Sequence, residues 1–193
     1  MIKLGEALAS EGFGVCNVGY PSTTRTIPDL SETVVEEAIR QCNQRGATTI
    51  HFAGHSMGAI LSRYKLEKSP PANAGKLVQL APPNQGSEIV DKLGDWPLFF
   101  RINGPGGITL GTGKNSIIRQ LGPVEHPTLV LAGTRSINPI LSLMIPGQDD
   151  GKVSIERTKV AGTSTHEIVK ATHPFIMKKD DVIKKVCAFL LEE

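Results

Sequence analysis

Gly54-His55-Ser56-Met57-Gly58 sets one serine between two glycines. The five residues follow Thr48–Ala53, an apolar, β-branched run that reads as a central strand, and precede Ala59–Lys68, which reads as a helix ending before Pro70-Pro71. A serine on so tight a strand-to-helix turn occupies strained backbone. Flanking glycines leave room around it, and the turn pushes its hydroxyl out above the carboxyl ends of the strands. The helix that starts there points unpaired N–H groups at any negative charge that develops, and Met57 N–H is the nearest donor. Without the strand and the helix, the five residues would read as a glycine-rich turn with an incidental serine.

A serine hydroxyl is a weak nucleophile at neutral pH, so it needs a base, and the base needs an acid to orient it. On this kind of turn the chain order is Ser, then Asp or Glu, then His. Of five histidines, His51 lies inside the strand, His55 is expected to point away from the reacting face, and His126 precedes Pro127 at the wrong end of a strand. His166 and His173 remain. His173, in Ala171-Thr172-His173-Pro174 just before the last helix, is the favoured base. The acid should come from the loop after the Thr128–Ala132 strand, where Gln148-Asp149-Asp150-Gly151 forms a turn. Asp150 is preferred, with Asp149 in reserve.

The elements that must position these groups alternate strand and helix. Ile2–Ser10 reads as an amphipathic helix closed by Gly12 and Gly14, and Val15–Gly19 as a short strand. A helix through Leu30, Val34, Ala38 and Cys42 follows, with Asp29 or Ser31 as its cap. Lys76–Leu80 and Thr128–Ala132 read as further strands, and Asp180–Leu191 as the closing helix. This rhythm predicts a mostly parallel sheet covered on both faces, a three-layer α/β/α arrangement within one domain over residues 1–193. Between Gly94 and Gly113 the rhythm breaks. That stretch, with Trp96, Phe99, Phe100 and Ile108, reads as an irregular apolar insertion, either a lid or pocket loop or a loop pinned to the body by its aromatics.

The runs GHSMGAILSRY, VQLAPPNQGSEI, GQDDGKVSIERTKVAG and ATHPFIM resemble the lipase-like esterase branch of the α/β-hydrolase superfamily. The resemblance covers most of the chain. It implies carboxylic ester hydrolysis, with Ser56 as nucleophile, Asp150 as acid and His173 as base, and it places the 95–110 region beside the acyl pocket. The sequence departs from the family at one place: the apolar strand and His-Gly loop that precede the first helix in family members are absent. That loop supplies the second oxyanion N–H, so the fold is expected to be N-terminally shortened. The second donor would then come from an upstream start or from a backbone N–H or hydroxyl near Tyr20–Thr23.

Composition bounds the alternatives. The 193 residues carry 21 Lys+Arg and 19 Asp+Glu, a net charge of +2, without the clustered basic charge of a nucleic-acid surface. No apolar run is long enough to span a membrane. No secretory signal is recognisable, and Cys16, Cys42 and Cys187 are too sparse for a disulfide framework, so a cytoplasmic setting with free thiols is expected. Gly111-Thr112-Gly113-Lys114 lacks the glycine at 108 and the Ser or Thr at 115 of a phosphate loop. The expectation is therefore a serine esterase or lipase acting on small, uncharged, apolar acyl esters, with no cofactor and no metal. Trp96, Phe99, Phe100 and Ile108 would line its pocket. A thioesterase or acyltransferase with the same triad, and a non-catalytic acyl-binding or interaction module, are the rival readings. An unpaired strand edge would also favour a homo-oligomer.

Overall fold

The computed structural model describes residues 1–192. In chain order it contains α1 (Ile2–Ser10), α2 (Ile27–Leu30), a π-helical turn (Ser31–Val35), α3 (Glu36–Gln44), β1 (Ile50–His55), α4 (Met57–Lys68) and β2 (Ala74–Leu80). These are followed by α5 (Glu88–Leu93), α6 (Pro97–Ile108), β3 (Val124–Arg135), α7 (Pro139–Ser142), α8 (Ile155–Thr158), β4 (Gly162–Thr172) and α9 (Asp180–Leu191). Among the described residues the four strands form one parallel sheet in the order β1-β2-β3-β4. All four therefore end at the same edge, where loops can bring distant residues together.

Helices cover both faces, giving the three layers. On one face Leu4 and Leu8 of α1 and Val182, Val186 and Leu190 of α9 pack on alternate residues of β2, β3 and β4. On the other, Ile39 of α3 and Leu66 of α4 meet Ile50, Phe52 and Leu77. β2 shows the alternation in four residues: Val78 and Leu80 belong to the first face, and Leu77 and Gln79 turn to the second. Complete burial of a Leu or Ile stabilises by about 1.5–3 kcal/mol, so this alternation fixes which face each strand presents. Gln79 meets its own burial by donating to Ala59 O at 3.1 Å and accepting from Asn84 Nδ2 at 2.7 Å. Among the described residues no helix is long and apolar enough to cross a membrane.

Four local expectations are corrected. The helix after the first loop starts at Ile27, capped by Thr26, whose hydroxyl accepts from Asp29 N–H; Asp29 is the reciprocal partner in a capping box and neither it nor Ser31 is the cap. The 94–113 stretch is largely helical, because Pro97 opens α6 at a position where a missing N–H costs nothing. Gly104, at φ 66° and ψ −178°, leaves the helical path, so α6 is two short helical segments meeting at a kink, with Pro105 opening the second. β4, which lies outside the strands expected from sequence, adds the last strand.

The fourth correction concerns Val15–Gly19, which is extended but belongs to no strand. No backbone hydrogen bond involves residues 14–19 among the described residues. β1 pairs only with β2, and a cavity of about 780 Å³ separates its open edge from the 12–18 segment. Extended residues form a strand only where a neighbour stands at ladder spacing, about 4.8 Å away. Side chains hold the segment instead. Phe13 stacks edge-on against His51 with ring centroids 6.0 Å apart, and Cys16 Sγ lies 3.1 Å from Cys42 Sγ on α3.

Candidate active site

Ser56 is the single residue between β1 and α4, and its backbone sits at φ 53°, ψ −121°. Such a conformation costs a non-glycine residue about 1–3 kcal/mol and persists only when its surroundings enforce it. Here Ser56 N–H donates to Leu80 O at 2.9 Å, tying the turn to the end of β2. Gly54 permits the chain to fold back so tightly: a β-carbon there would stand 2.4 Å from Gly58 O and 2.5 Å from Ala59 N. Both are backbone atoms and cannot swing aside. Gly54→Ala is expected to destabilise the protein by about 3 kcal/mol or more, measured as a lower urea midpoint with an unchanged slope.

The end of the sheet brings the three sequence-predicted residues into one hydrogen-bonded chain. His173 Nε2 lies 3.0 Å from Ser56 Oγ, and His173 Nδ1 lies 2.8 Å from Asp150 Oδ2. His173 is the first residue after β4 and opens a 3₁₀ turn, with Pro174 next in it. Asp150 follows β3 on a turn closed by the Asp149–Ser154 bridge. Its second oxygen, Oδ1, accepts from Lys152 N–H at 3.0 Å and Val153 N–H at 2.9 Å, and its carbonyl accepts from His173 N–H at 2.9 Å. Asp150 is 1% exposed and His173 6%, so the carboxylate relies on these donors in place of water. With Nδ1–H donated to Asp150, Nε2 is left as the acceptor for the serine proton.

The reserve residues are engaged elsewhere. Asp149 Oδ1 accepts from Ser142 Oγ at 2.8 Å and Gly151 N–H at 2.6 Å. His166 lies within β4 with Nε2 2.8 Å from Thr158 Oγ1, and His51 Nδ1 accepts from Lys76 N–H at 2.9 Å. Met57 opens α4, and no backbone carbonyl accepts its N–H among the described residues. Tyr20, at the end of the unpaired extended segment, brings its hydroxyl to the start of α4, 3.1 Å from where a β-carbon on Gly58 would stand. Burial raises the Tyr20 pKa, keeping the hydroxyl protonated.

His55 has a contact that local pattern could not reveal. Its Nε2–H donates to His173 O at 2.9 Å, and the two rings lie 4.9 Å apart. Burial first, and the neighbouring His173 second, push its pKa down to about 4, so it stays neutral near pH 7. Since an unfolded histidine titrates near 6.5, this depressed value makes folding stability fall as pH drops from 6.5 towards 4, by up to about 3 kcal/mol. His55→Gln, which retains a terminal N–H, is expected to flatten that decline, measured as urea midpoints between pH 4 and pH 7.

α6 covers the turn from one side. Gly104 (φ +66°) presses on Thr23, where a β-carbon would meet backbone at 2.4 Å, and one on Gly106 would lie 3.4 Å from Met57 Sδ. Of the four predicted pocket residues, Phe99 is half-buried against the cluster containing Ile27, Leu30 and Ile60, and Ile108 is half-buried. Trp96, 63% exposed, and Phe100 face outward with Leu98 and Ile102.

No protein-family model matches the chain, and no curated protein matches it by sequence. Solved structures do. The mature lipase BlEst2 of Bacillus licheniformis superimposes with a TM-score of 0.68 at 17% identity, covering 88% of this chain and 76% of that one. Phospholipase PlaB from Legionella pneumophila, in complex with thio-NAD, gives a TM-score of 0.76 at 16% identity; the match covers 98% of this chain and 55% of PlaB, so the chain spans about half of that protein. The metagenomic carboxyl esterase MGS0156 gives 0.66 at 18% identity, over 90% of this chain and 58% of that one. The fold is that of the α/β-hydrolases.

Proposed function

We propose that this protein is a carboxylic ester hydrolase that works through an acyl-enzyme on apolar acyl esters. The observation that carries the reading is the continuous Ser56–His173–Asp150 hydrogen-bonded chain at the carboxyl end of a parallel sheet, on a strained turn that exposes the serine. The structural neighbours, a lipase, a phospholipase and a carboxyl esterase, support the same class.

In this reading Ser56 Oγ attacks the ester carbonyl while His173 Nε2 takes its proton. Asp150 stabilises the imidazolium and keeps Nδ1–H directed at itself. The tetrahedral oxyanion accepts from Met57 N–H, with the Tyr20 hydroxyl, which reaches the start of α4, as the candidate second donor from the loop expected to complete the hole. His173 then returns the proton to the leaving alcohol. Water, deprotonated by the same imidazole, attacks the acyl-Ser56 carbonyl and releases the acid. α6 acts as the cover of the acyl site: Phe99 and Ile108 offer the inward apolar surface, and Trp96 and Phe100 form its outer face.

The direct test is labelling with a fluorophosphonate, which reacts only with a serine whose base is in place. A single adduct on the peptide containing Ser56 is expected, lost in His173→Ala. Absence of an adduct on the folded wild-type protein would overturn the reading in favour of a non-catalytic module.

A further inference from the structure

Lys152 is placed where an ordinary surface lysine would not be. Its backbone N–H donates to Asp150 Oδ1 at 3.0 Å and its carbonyl accepts from Ser87 Oγ at 3.1 Å, so the residue is locked beside the acid of the triad. Its half-buried side chain crosses to α6, where Nζ meets Asn103 Oδ1 at 3.4 Å. That contact is long for a hydrogen bond, and an ammonium carries three donors. Among the described residues its one side-chain hydrogen-bond partner is an amide, and Asn103 donates its own Nδ2–H to Phe99 O. Lys152 takes part in no ion pair among the described residues. Burial lowers its pKa, with Asp150 acting in the opposite direction.

The Asp150 carboxylate does not neutralise it directly: Oδ2 is committed to His173 and Oδ1 to two backbone N–H groups. The 103–106 part of α6 that receives Lys152 is also the part that stands over Met57, the residue after Ser56. The ammonium thus sits between the triad and its cover. A cation withdrawn from water with unused donors gains most from an anion that arrives with the ligand.

Resting on the ester-hydrolase reading, we propose that Lys152, steadied by Asn103, is a specificity residue that binds an anionic group, a carboxylate or a phosphodiester, carried by the ester whose carbonyl meets Ser56. The preferred substrates are then acyl esters that are apolar at the reacting end and singly negative a few bonds away. They are not the uncharged esters expected from the sequence.

Two matched pairs of esters test this and separate the sources of the charge. For charge on the acyl side the pair is p-nitrophenyl butyrate and mono-p-nitrophenyl glutarate. For charge on the alcohol side it is trihexanoin and dihexanoyl phosphatidylglycerol. In at least one pair the wild type should favour the anionic member by about tenfold or more in kcat/KM, the size expected of one charge-assisted hydrogen bond in a half-buried site. Lys152→Met, which keeps the length and removes the charge, should bring that ratio to about one or below, and Lys152→Arg should retain most of it. The wild-type ratio tests the proposal by itself if Lys152→Met fails to fold. A preference for the neutral member in both pairs, or a ratio that Lys152→Met leaves in place, would overturn it. Calorimetric binding of monomethyl glutarate and of diethyl phosphate to the Ser56→Ala protein reads the site without turnover. Binding lost on adding Lys152→Met, with no ester hydrolysed by the wild type, would sustain the anion site and sink the hydrolase reading. Turnover without discrimination would do the reverse, and neither binding nor turnover would sink both.

Discussion

Ser56→Ala is expected to lower ester hydrolysis by several orders of magnitude, to the residual rate that binding and the oxyanion hole support alone, and the depth of the fall measures how complete that hole is in the wild type. Where a serine triad works with two well-placed donors, loss of the nucleophile costs about 10⁶ in kcat. One missing donor lowers the starting rate by about 10²–10³. Met57 N–H is fixed at the start of α4 by the Ser56 turn, and the Tyr20 hydroxyl lies close to the same turn. A ratio of wild type to Ser56→Ala near ~10⁶ would mean that a second donor, Tyr20 first among the candidates, is fully placed. A ratio of about 10³–10⁴ would mean that Met57 works alone. Equal rates for the two proteins would remove Ser56 from the chemistry altogether. The comparison is best made on p-nitrophenyl esters of increasing acyl length, whose activated leaving group leaves acylation dependent on the serine.

The parts of this site that could be read from sequence are those whose signal is local. Ser56 lies in a five-residue turn between a β-branched run and a helix, and Asp150 and His173 lie in loops at the expected points of the chain order. Each needed only its near neighbours in the chain to be placed. His55 and Lys152 could not be found this way. His55 acts through the carbonyl of a residue 118 positions away, and Lys152 through an amide 49 positions away. The errors in the fold have the same origin. β4 carries Ser, Thr, His, Glu and Lys along an edge with one half-exposed face, so it shows no continuous apolar run. Val15–Gly19 has the composition of a strand, but pairing requires a neighbour, and what faces it is the cavity beside β1. Glycine and proline at 104–107 do interrupt the helical path, at Gly104, but helix resumes at Pro105, and Thr23, Arg25 and Asn103 leave no space for a β-carbon on the three glycines. A one-residue break between two helical segments and a long irregular loop use the same residues, and sequence does not separate them.

The Asp150→Asn protein isolates what the acid does, because it changes a proton and almost no volume. The amide oxygen of the variant would keep accepting from Lys152 and Val153 N–H, so the turn after β3 should hold its shape. The other terminal group would become an NH₂ facing His173 Nδ1, which in the wild type lies 2.8 Å from Asp150 Oδ2. Two donors cannot share that bond, so the imidazole must present Nδ1 as acceptor and carry its proton on Nε2. The proton would then point at Ser56 Oγ, 3.0 Å away, and the base could not accept from it. Turnover is expected to fall about 10⁴-fold, the scale seen when a triad histidine is forced into the wrong tautomer, and fluorophosphonate labelling should slow with it. The urea midpoint should move little, since a neutral amide at a site 1% exposed avoids the cost of a buried charge as it gives up the charge-assisted bonds. Loss of activity together with loss of fold would make Asp150 a structural residue of the loop. Loss of activity alone assigns it to orienting His173, and retained activity would require a different acid, with Asp149 excluded by its bonds to Ser142 and Gly151.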